Sequence, residues 1–141
     1  MSEATPSTEF TLTRTVPHTY AETVRRVREE LAEVGFGILT EIDMAATLKA
    51  KLDVDTPPKV ILGACRPQLA HQAVEIDPRI ATLLPCNVVV TAVDSGSVID
   101  VLDPMVMPEF TGNDELTGVA QDARDRLLTM LDAVTAMPRE A

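Results

Sequence analysis

The chain has 141 residues, with 22 Asp or Glu against 12 Lys or Arg, and its formal net charge at pH 7 is −10. This length predicts one domain that folds around its own core without needing a disulfide or a metal ion. Because the negative charge repels phosphates, and because only three Phe and one Tyr are present for base stacking, neither nucleic acids nor anionic membranes are expected partners.

The N-terminal part is predicted to be a tail followed by a strand. Residues 1–7 are small and polar and include a proline, which is typical of a flexible tail. The following residues, 8–138, are interpreted as a single α+β domain. Its first strand is indicated by Phe10, Leu12 and Val16, which alternate with polar residues as in a half-buried strand.

A long amphipathic helix is predicted next. Between residues 20 and 34, apolar side chains recur at the spacing of one helix face. Thr19 and Glu22 are expected to form a capping box at its start, and Gly35 to end it in the left-handed conformation.

The middle of the chain is predicted to alternate between strands and short helices. Asp43 can cap a short helix, Pro67 suits the first position of another, and Asp77 with Pro78 suits a third start. The predicted segments are a strand over 36–42, a short helix after Asp43, a strand over 59–65, a helix over 67–76 and a turn of helix before Pro85.

The last third is predicted to be a hairpin and a long helix. Residues 87–93 and 97–103 are rich in β-branched side chains and are separated by a turn at 94–96, so they are expected to pair antiparallel. One apolar stripe over residues 116–134, preceded by the capping residue Asn113, indicates the final helix.

These elements predict an α+β fold in the order β-α-β(4)-α with short connecting helices, as a two-layer antiparallel sheet whose one face is covered by both long helices. The fourth strand is apolar on both sides: Val88 and Val90 face one way, and Val89 and Val93 face the other. The second face is therefore expected to be covered by the short helices or by a second copy of the chain, and a homodimer is the preferred expectation.

Three motifs carry a family resemblance. They are Gly-Phe-Gly-x-Leu-Thr-x-Ile-Asp at residues 35–43, Ile-Leu-Gly-Ala-Cys-x-Pro at 61–67 and Leu-Leu-Pro-Cys-Asn-Val at 83–88. In these motifs and their spacing the chain resembles the family called domain of unknown function 302. The resemblance implies a TATA-binding-protein-like topology, commonly as a homodimer, and implies no reaction; Arg66 stands where the family pattern commonly has Asn.

The two cysteines mark the candidate site. Cys65 ends a predicted strand, where the following helix dipole and the guanidinium of Arg66 would favour a reactive thiolate. The alternative is that Cys65 is a small buried hydrophobic residue. Cys86 begins the next strand, and a redox couple of the two thiols is a further alternative, although the spacing matches no CxxC motif.

Other polar side chains have structural interpretations as well as chemical ones. Cys65, His71 and Cys86 are ligand types that zinc accepts, but their spacing is none of the usual ones, and His71 is expected to face solvent. Asp43 is interpreted as a helix cap and Glu41 as a solvated strand residue, not as an acid and base pair. Two further acids, Asp100 and Asp103, are interpreted as a strand residue and the start of a turn.

A cytoplasmic protein is predicted, because the sequence has two cysteines, no apolar stretch long enough to span a membrane, and no basic and apolar leader. No phosphate loop, nucleophile elbow or metalloprotease motif is present, and the sequence identifies neither a cofactor nor a catalytic residue.

The preferred hypothesis is a cytoplasmic homodimeric domain that binds a small molecule or a protein near Cys65, Arg66, His71, Cys86 and Asn87. The alternative is a thiol-dependent or redox-linked enzyme that uses Cys65, with or without Cys86. A third hypothesis is an interaction module whose acidic C-terminal helix, with Asp122, Asp125 and Asp132, docks a basic partner.

Overall fold

The structure, a computed structural model, describes residues 9–138. The predicted tail over residues 1–7 lies outside the described residues. The strands are β1 Thr11–Val16, β2 Gly37–Asp43, β3 Lys59–Cys65, β4 Cys86–Val93 and β5 Gly96–Leu102. The α-helices are α1 Tyr20–Glu33, α2 Met44–Leu52, α3 Pro67–Ile76, α4 Val106–Thr111 and α5 Thr117–Ala136, with 3₁₀ helices at Pro78–Leu83 and Asp114–Leu116. No helix within residues 9–138 is both long enough and apolar enough to cross a membrane.

The five strands form one antiparallel sheet in the order β1-β5-β4-β3-β2. The predicted hairpin is present, with Val93 opposite Gly96, and β3 is also the neighbour of β4. The predicted α+β class is confirmed.

Helices α1 and α5 cover one face of this sheet, as predicted. Their apolar stripes pack on the alternate strand residues that point toward them, because side chains of a strand alternate between the two faces. The largest fully buried members of this core are Val16, Val27, Leu31, Leu62, Val88, Val90, Ile99, Leu127, Met130 and Leu131.

The short helices after β3 and β5 build a second, smaller core against α5. It joins Ala73 of α3, Ile80 of the first 3₁₀ helix, Met107 of α4 and Leu116 with Ala120 around the start of α5. This cluster explains why these elements do not cover the second face of the sheet: their apolar sides are already used against α5.

That second face carries an apolar row. Ile42 lies opposite Ile61, and Ile61 lies opposite Val89, so the three side chains share the face away from the core. Ile42 is 44% exposed, and Ile61 and Val89 are half-buried. The sequence predicted an apolar second face because the fourth strand is apolar on both sides. Among the described residues, this row forms that face.

Three local details differ from the predictions. Thr19 accepts a hydrogen bond from the Glu22 amide as an N-cap should, but the Glu22 carboxylate binds Arg25 and Arg26 and does not complete a capping box. Asn113 caps the 3₁₀ helix that precedes α5, not α5 itself. Helix α4 was not predicted, because Pro108 lies within it and an internal proline usually ends a helix.

Candidate functional site

A small cavity lies where the end of β3 and the start of β4 meet α3 and α5. Cys65, Arg66 and Cys86 line it together with apolar residues that include Phe36 and Leu69. Its volume is about 20 Å³, which is room for one water molecule and far less than an enclosed metabolite needs. A partner larger than water therefore has to sit over the mouth of the cavity.

Both cysteines are free thiols, and burial is the main influence on them. Cys86 is 7% exposed, and its burial, with a smaller contribution from the nearby Cys65, raises the pKa of Cys86 to about 11. Burial also raises the pKa of the half-buried Cys65. A raised pKa agrees with the interpretation of Cys65 as a small buried residue and not with the interpretation as a reactive thiolate.

Cys65 and Cys86 lie on adjacent strands, but they are not paired with each other in the strand ladder. In the β3–β4 ladder, Ala64 and not Cys65 is the partner of Cys86. Successive strand residues point to opposite sides of a sheet, so the register favours Ala64 as the residue that contacts the Cys86 side chain.

Arg66 is the N-cap residue of α3, and its side chain runs from the cavity toward Gly35. A Cβ atom added to Gly35 would lie 2.6 Å from Nη1 of Arg66 and 3.7 Å from Nη1 of Arg126. The guanidinium groups of α3 and α5 therefore meet at the end of α1.

His71 lies away from this cavity. Its side chain is 77% exposed and is 3.9 Å from the Glu75 carboxylate. It lines an open groove between α3 and α5 with Glu115 and Asp122, so the expectation that His71 faces solvent is confirmed. Within residues 9–138, no three side chains of the His, Cys, Asp and Glu types are arranged to hold a metal ion.

Asn87 also lies outside the cavity. It is exposed and pairs with Gly63 in the β3–β4 ladder, one residue after Cys86 along β4. Of the five predicted site residues, the structure thus brings together Cys65, Arg66 and Cys86, and it places His71 and Asn87 elsewhere.

The acidic residues have the structural roles that were predicted for them, with added partners. Asp43 caps α2 by accepting a hydrogen bond from the Ala46 amide at 2.9 Å, and Glu41 pairs with Arg28. Asp100 accepts a hydrogen bond from the Thr13 hydroxyl at 2.6 Å. Asp103 caps the turn before α4 and contacts Arg124 at 3.2 Å.

Sequence reasoning missed Arg126 as a neighbour of the site. It lies on the edge of the predicted α5 stripe, one turn beyond Asp122, and nothing in the local pattern distinguishes it from a solvated arginine. The contact with the Arg66 region depends on how α5 packs beside α1, which is a tertiary property.

Comparisons with known proteins agree on one relationship. The family described as Domain of unknown function DUF302 matches residues 12–134. A solved structure described as uncharacterized conserved protein DUF302 from Bacillus stearothermophilus is similar, with 30% sequence identity and a TM-score of 0.81 over 87% of this chain and 96% of that one. No curated protein matches the chain significantly.

Proposed function

The chain belongs to the DUF302 family, which is defined by sequence and fold and not by a reaction, and we propose that it is a non-catalytic, cytoplasmic and homodimeric domain. We further propose that it binds a small molecule or a protein partner at the cavity formed by Cys65, Arg66 and Cys86. The observation that carries this proposal is that these three residues line one cavity, from the end of β3, the N-cap of α3 and the start of β4.

The size of the cavity limits how a ligand is held. At about 20 Å³, the cavity admits one small group, so the ligand lies across the mouth and reaches in with at most a few atoms. Phe36, Leu69 and Ala70 supply apolar contacts there, and Arg66 supplies the charge. Apolar walls with a few convergent polar groups are the usual composition of a binding site.

Protonated thiols favour binding over thiol catalysis. The nucleophile in cysteine chemistry is the thiolate, and burial raises the pKa of both Cys65 and Cys86. At neutral pH both side chains therefore act as small, weakly polar parts of the wall, and the thiol-dependent enzyme is not the favoured function.

The homodimer is supported by the apolar, partly exposed second face of the sheet. The row formed by Ile42, Ile61 and Val89 lies on the face opposite α1 and α5, and the short helices after β3 and β5 are packed against α5 instead. A second copy would place the same row against itself across a two-fold axis, which is the commonest arrangement of soluble oligomers.

A substitution that fills the mouth tests the site. Ala70 lines the cavity, so Ala70→Leu is expected to remove binding by placing an isobutyl group across it, while Gln68→Leu adds the same group to the exposed side of α3. The measurement is the shift of backbone amide NMR signals when isotope-labelled protein is mixed with a panel of acidic, neutral and basic compounds and short peptides.

Saturable shifts at Phe36, Cys65 and Ala70 in the wild type and in Gln68→Leu, lost in Ala70→Leu, would support the proposed site. Compounds that bind Ala70→Leu as tightly as the wild type would show that binding occurs elsewhere.

A further inference from the structure

Two arginines approach each other at Gly35, beside the proposed site: Arg66, which lines the cavity, and Arg126. Nη1 of Arg66 and Nη1 of Arg126 both lie within 4 Å of the point where a Gly35 side chain would begin. One arginine comes from α3 and the other from α5, so the pair exists only in the folded chain. Like charges this close repel each other, and an anion or protein acceptors between them would reduce that repulsion.

Among the described residues, protein groups offer hydrogen-bond acceptors to one of the two arginines, Arg126, and not to Arg66. Arg126 donates from Nε to the Asp122 carboxylate at 2.7 Å and from Nη1 to the Val34 carbonyl at 3.1 Å. Arg66, in contrast, forms no hydrogen bond or ion pair to any residue within 9–138.

The position of Arg66 makes this lack of partners costly. Its Nε is buried and without a hydrogen-bond partner, and burying an unpaired polar group is unfavourable, more so when the group is charged. Because Nε is enclosed, a ligand can form hydrogen bonds with the guanidinium through its terminal nitrogens, Nη1 and Nη2, and their charge is what an anion would neutralise. Nη1 of Arg66 lies beside Gly35, and Nη1 of Arg126 lies near the same point.

The start of α3 adds to the positive potential. Arg66 is the N-cap of this ten-residue helix and makes no side-chain cap, and Pro67 occupies the first turn. The positive end of the helix dipole is therefore not neutralised by a capping carboxylate or hydroxyl. A local positive site results on a chain whose net charge is −10.

We infer that the ligand of the proposed site carries an oxyanion, a carboxylate or a phosphate, that binds between Arg66 and Arg126. This inference rests on the proposed function and names the chemical class of its ligand. The planar guanidinium of Arg66 donates two parallel hydrogen bonds to the oxyanion. Arg126 donates from whichever nitrogen is not engaged by Asp122 and Val34, and the rest of the ligand lies over Cys65 and Ala70.

Titration with simple anions tests the inference. Inorganic phosphate and acetate are added separately to the isotope-labelled full chain, with sodium chloride adjusted so that ionic strength stays constant. The expected result is saturable shifts of the Gly35 and Phe36 amides and of the Arg66 side-chain Nε signal. Tighter binding of phosphate would assign a phosphate-bearing ligand, and equal or tighter binding of acetate would assign a carboxylate.

Charge-removing variants locate the binding. Arg66→Gln and Arg126→Gln are each expected to weaken the anion at least about tenfold, since hydrogen bonds between charged groups are the strong ones. Arg14→Gln is the matched control, because Arg14 and Arg126 have side chains with the same 34% exposure and Arg14 lies on β1. Arg66→Lys is expected to keep part of the affinity through its charge while losing the bidentate geometry.

Absence of saturable shifts at Gly35 and Phe36 with both anions, or equal weakening by Arg14→Gln, would overturn the inference. Arg126→Gln also removes the contact to Val34, so its fold is checked by the dispersion of its amide signals, and Arg66→Gln provides the second, independent variant. If neither anion binds but neutral compounds still bind at Cys65 and Ala70, the proposed function is retained and the anionic class of ligand is rejected.

Discussion

Glycine is favoured at position 35 mainly by its backbone conformation. Its φ angle is +89°, a conformation that residues with a side chain rarely adopt, and an added Cβ would stand 2.6 Å from Nη1 of Arg66. Gly35→Ala is therefore expected to lower the free energy of unfolding by about 1–3 kcal/mol through backbone strain, while the end of the Arg66 side chain can move aside. Urea denaturation followed by circular dichroism measures this change.

Gly118 provides the matched control for that substitution. It lies in the first turn of α5, its φ angle is not positive, and an added Cβ would meet no atom within 4 Å. Gly118→Ala is expected to raise the stability by a few tenths of a kcal/mol to about 1 kcal/mol, because alanine favours the helix. If the two variants were equally stable, the strain assigned to Gly35 would be wrong.

The site residues at strand ends, Cys65 and Cys86, could be predicted from the sequence. Arg126 could not, because tertiary packing alone brings it close to the site. Cys65 and Cys86 stand at the junctions of apolar runs with turns, and adjacent antiparallel strands bring such junctions together. Arg126 is 60 positions from Arg66 in the printed sequence, and only the packing of α5 beside the end of α1 unites them. Of the two interpretations of Cys65, the raised pKa of its thiol, which burial causes, favours the small buried residue over the reactive thiolate.

Among the helices, α1 has the clearest electrostatic feature. The side chain of Glu22 is only 10% exposed and bonds to both Arg25 and Arg26. The hydrogen bond from Arg25 is the main reason that the pKa of Glu22 is lowered to about 2 from an ordinary 4.5. A carboxylate with a lowered pKa in the folded state stabilises the fold above its unfolded pKa and loses that contribution as the pH falls through the folded value.

The expected outcome is a pH-dependent difference between the wild type and Glu22→Gln. At neutral pH the variant should be less stable, and the difference should shrink as the pH falls from about 4.5 to about 2. Thermal unfolding measured across this range follows the difference. Glu29→Gln is the control, because Glu29 also pairs with Arg25 but is 54% exposed, so it should have a smaller effect; an equal effect would contradict the argument.

The elements with strong periodicity or clear caps were predicted within a residue or two, and the exceptions have physical reasons. Strand β3 and helix α3 have the predicted bounds because a continuous apolar run and an N-terminal proline define them. Strand β2 has an irregularity between Ile38 and Thr40 that places Leu39 outside the ladder. No local residue pattern predicts this irregularity. In α4, Pro108 lies in the first turn, where its missing N–H has no helical acceptor to lose.

For the molecule as a whole, the open sheet face leads to the prediction of oligomeric state. Light scattering at micromolar concentration is expected to give twice the mass of one chain. Val89→Lys should give the single-chain mass, because it puts a charge in the middle of the apolar row formed with Ile42 and Ile61. Thr129→Lys adds the same charge to the exposed side of α5 and should leave the mass doubled.

A wild-type protein with the mass of one chain would reject the homodimer. Dissociation by Thr129→Lys with no effect of Val89→Lys would move the interface from the sheet to the helices.

The order of strands in the sheet also governs when the fold can form. Strand β1 has one sheet neighbour, β5. Its residue Val16 pairs with Ser97, which is synthesised roughly 80 residues later. At about 5–20 residues per second, the ribosome takes roughly 10 seconds to supply that partner. In contrast, β3, β4 and β5 pair with strands close to them in sequence and can assemble as they emerge. We therefore expect β1, with the apolar residues Leu12 and Val16, to stay unpaired until the hairpin of β4 and β5 has left the ribosome, and an unpaired apolar strand favours aggregation during this interval.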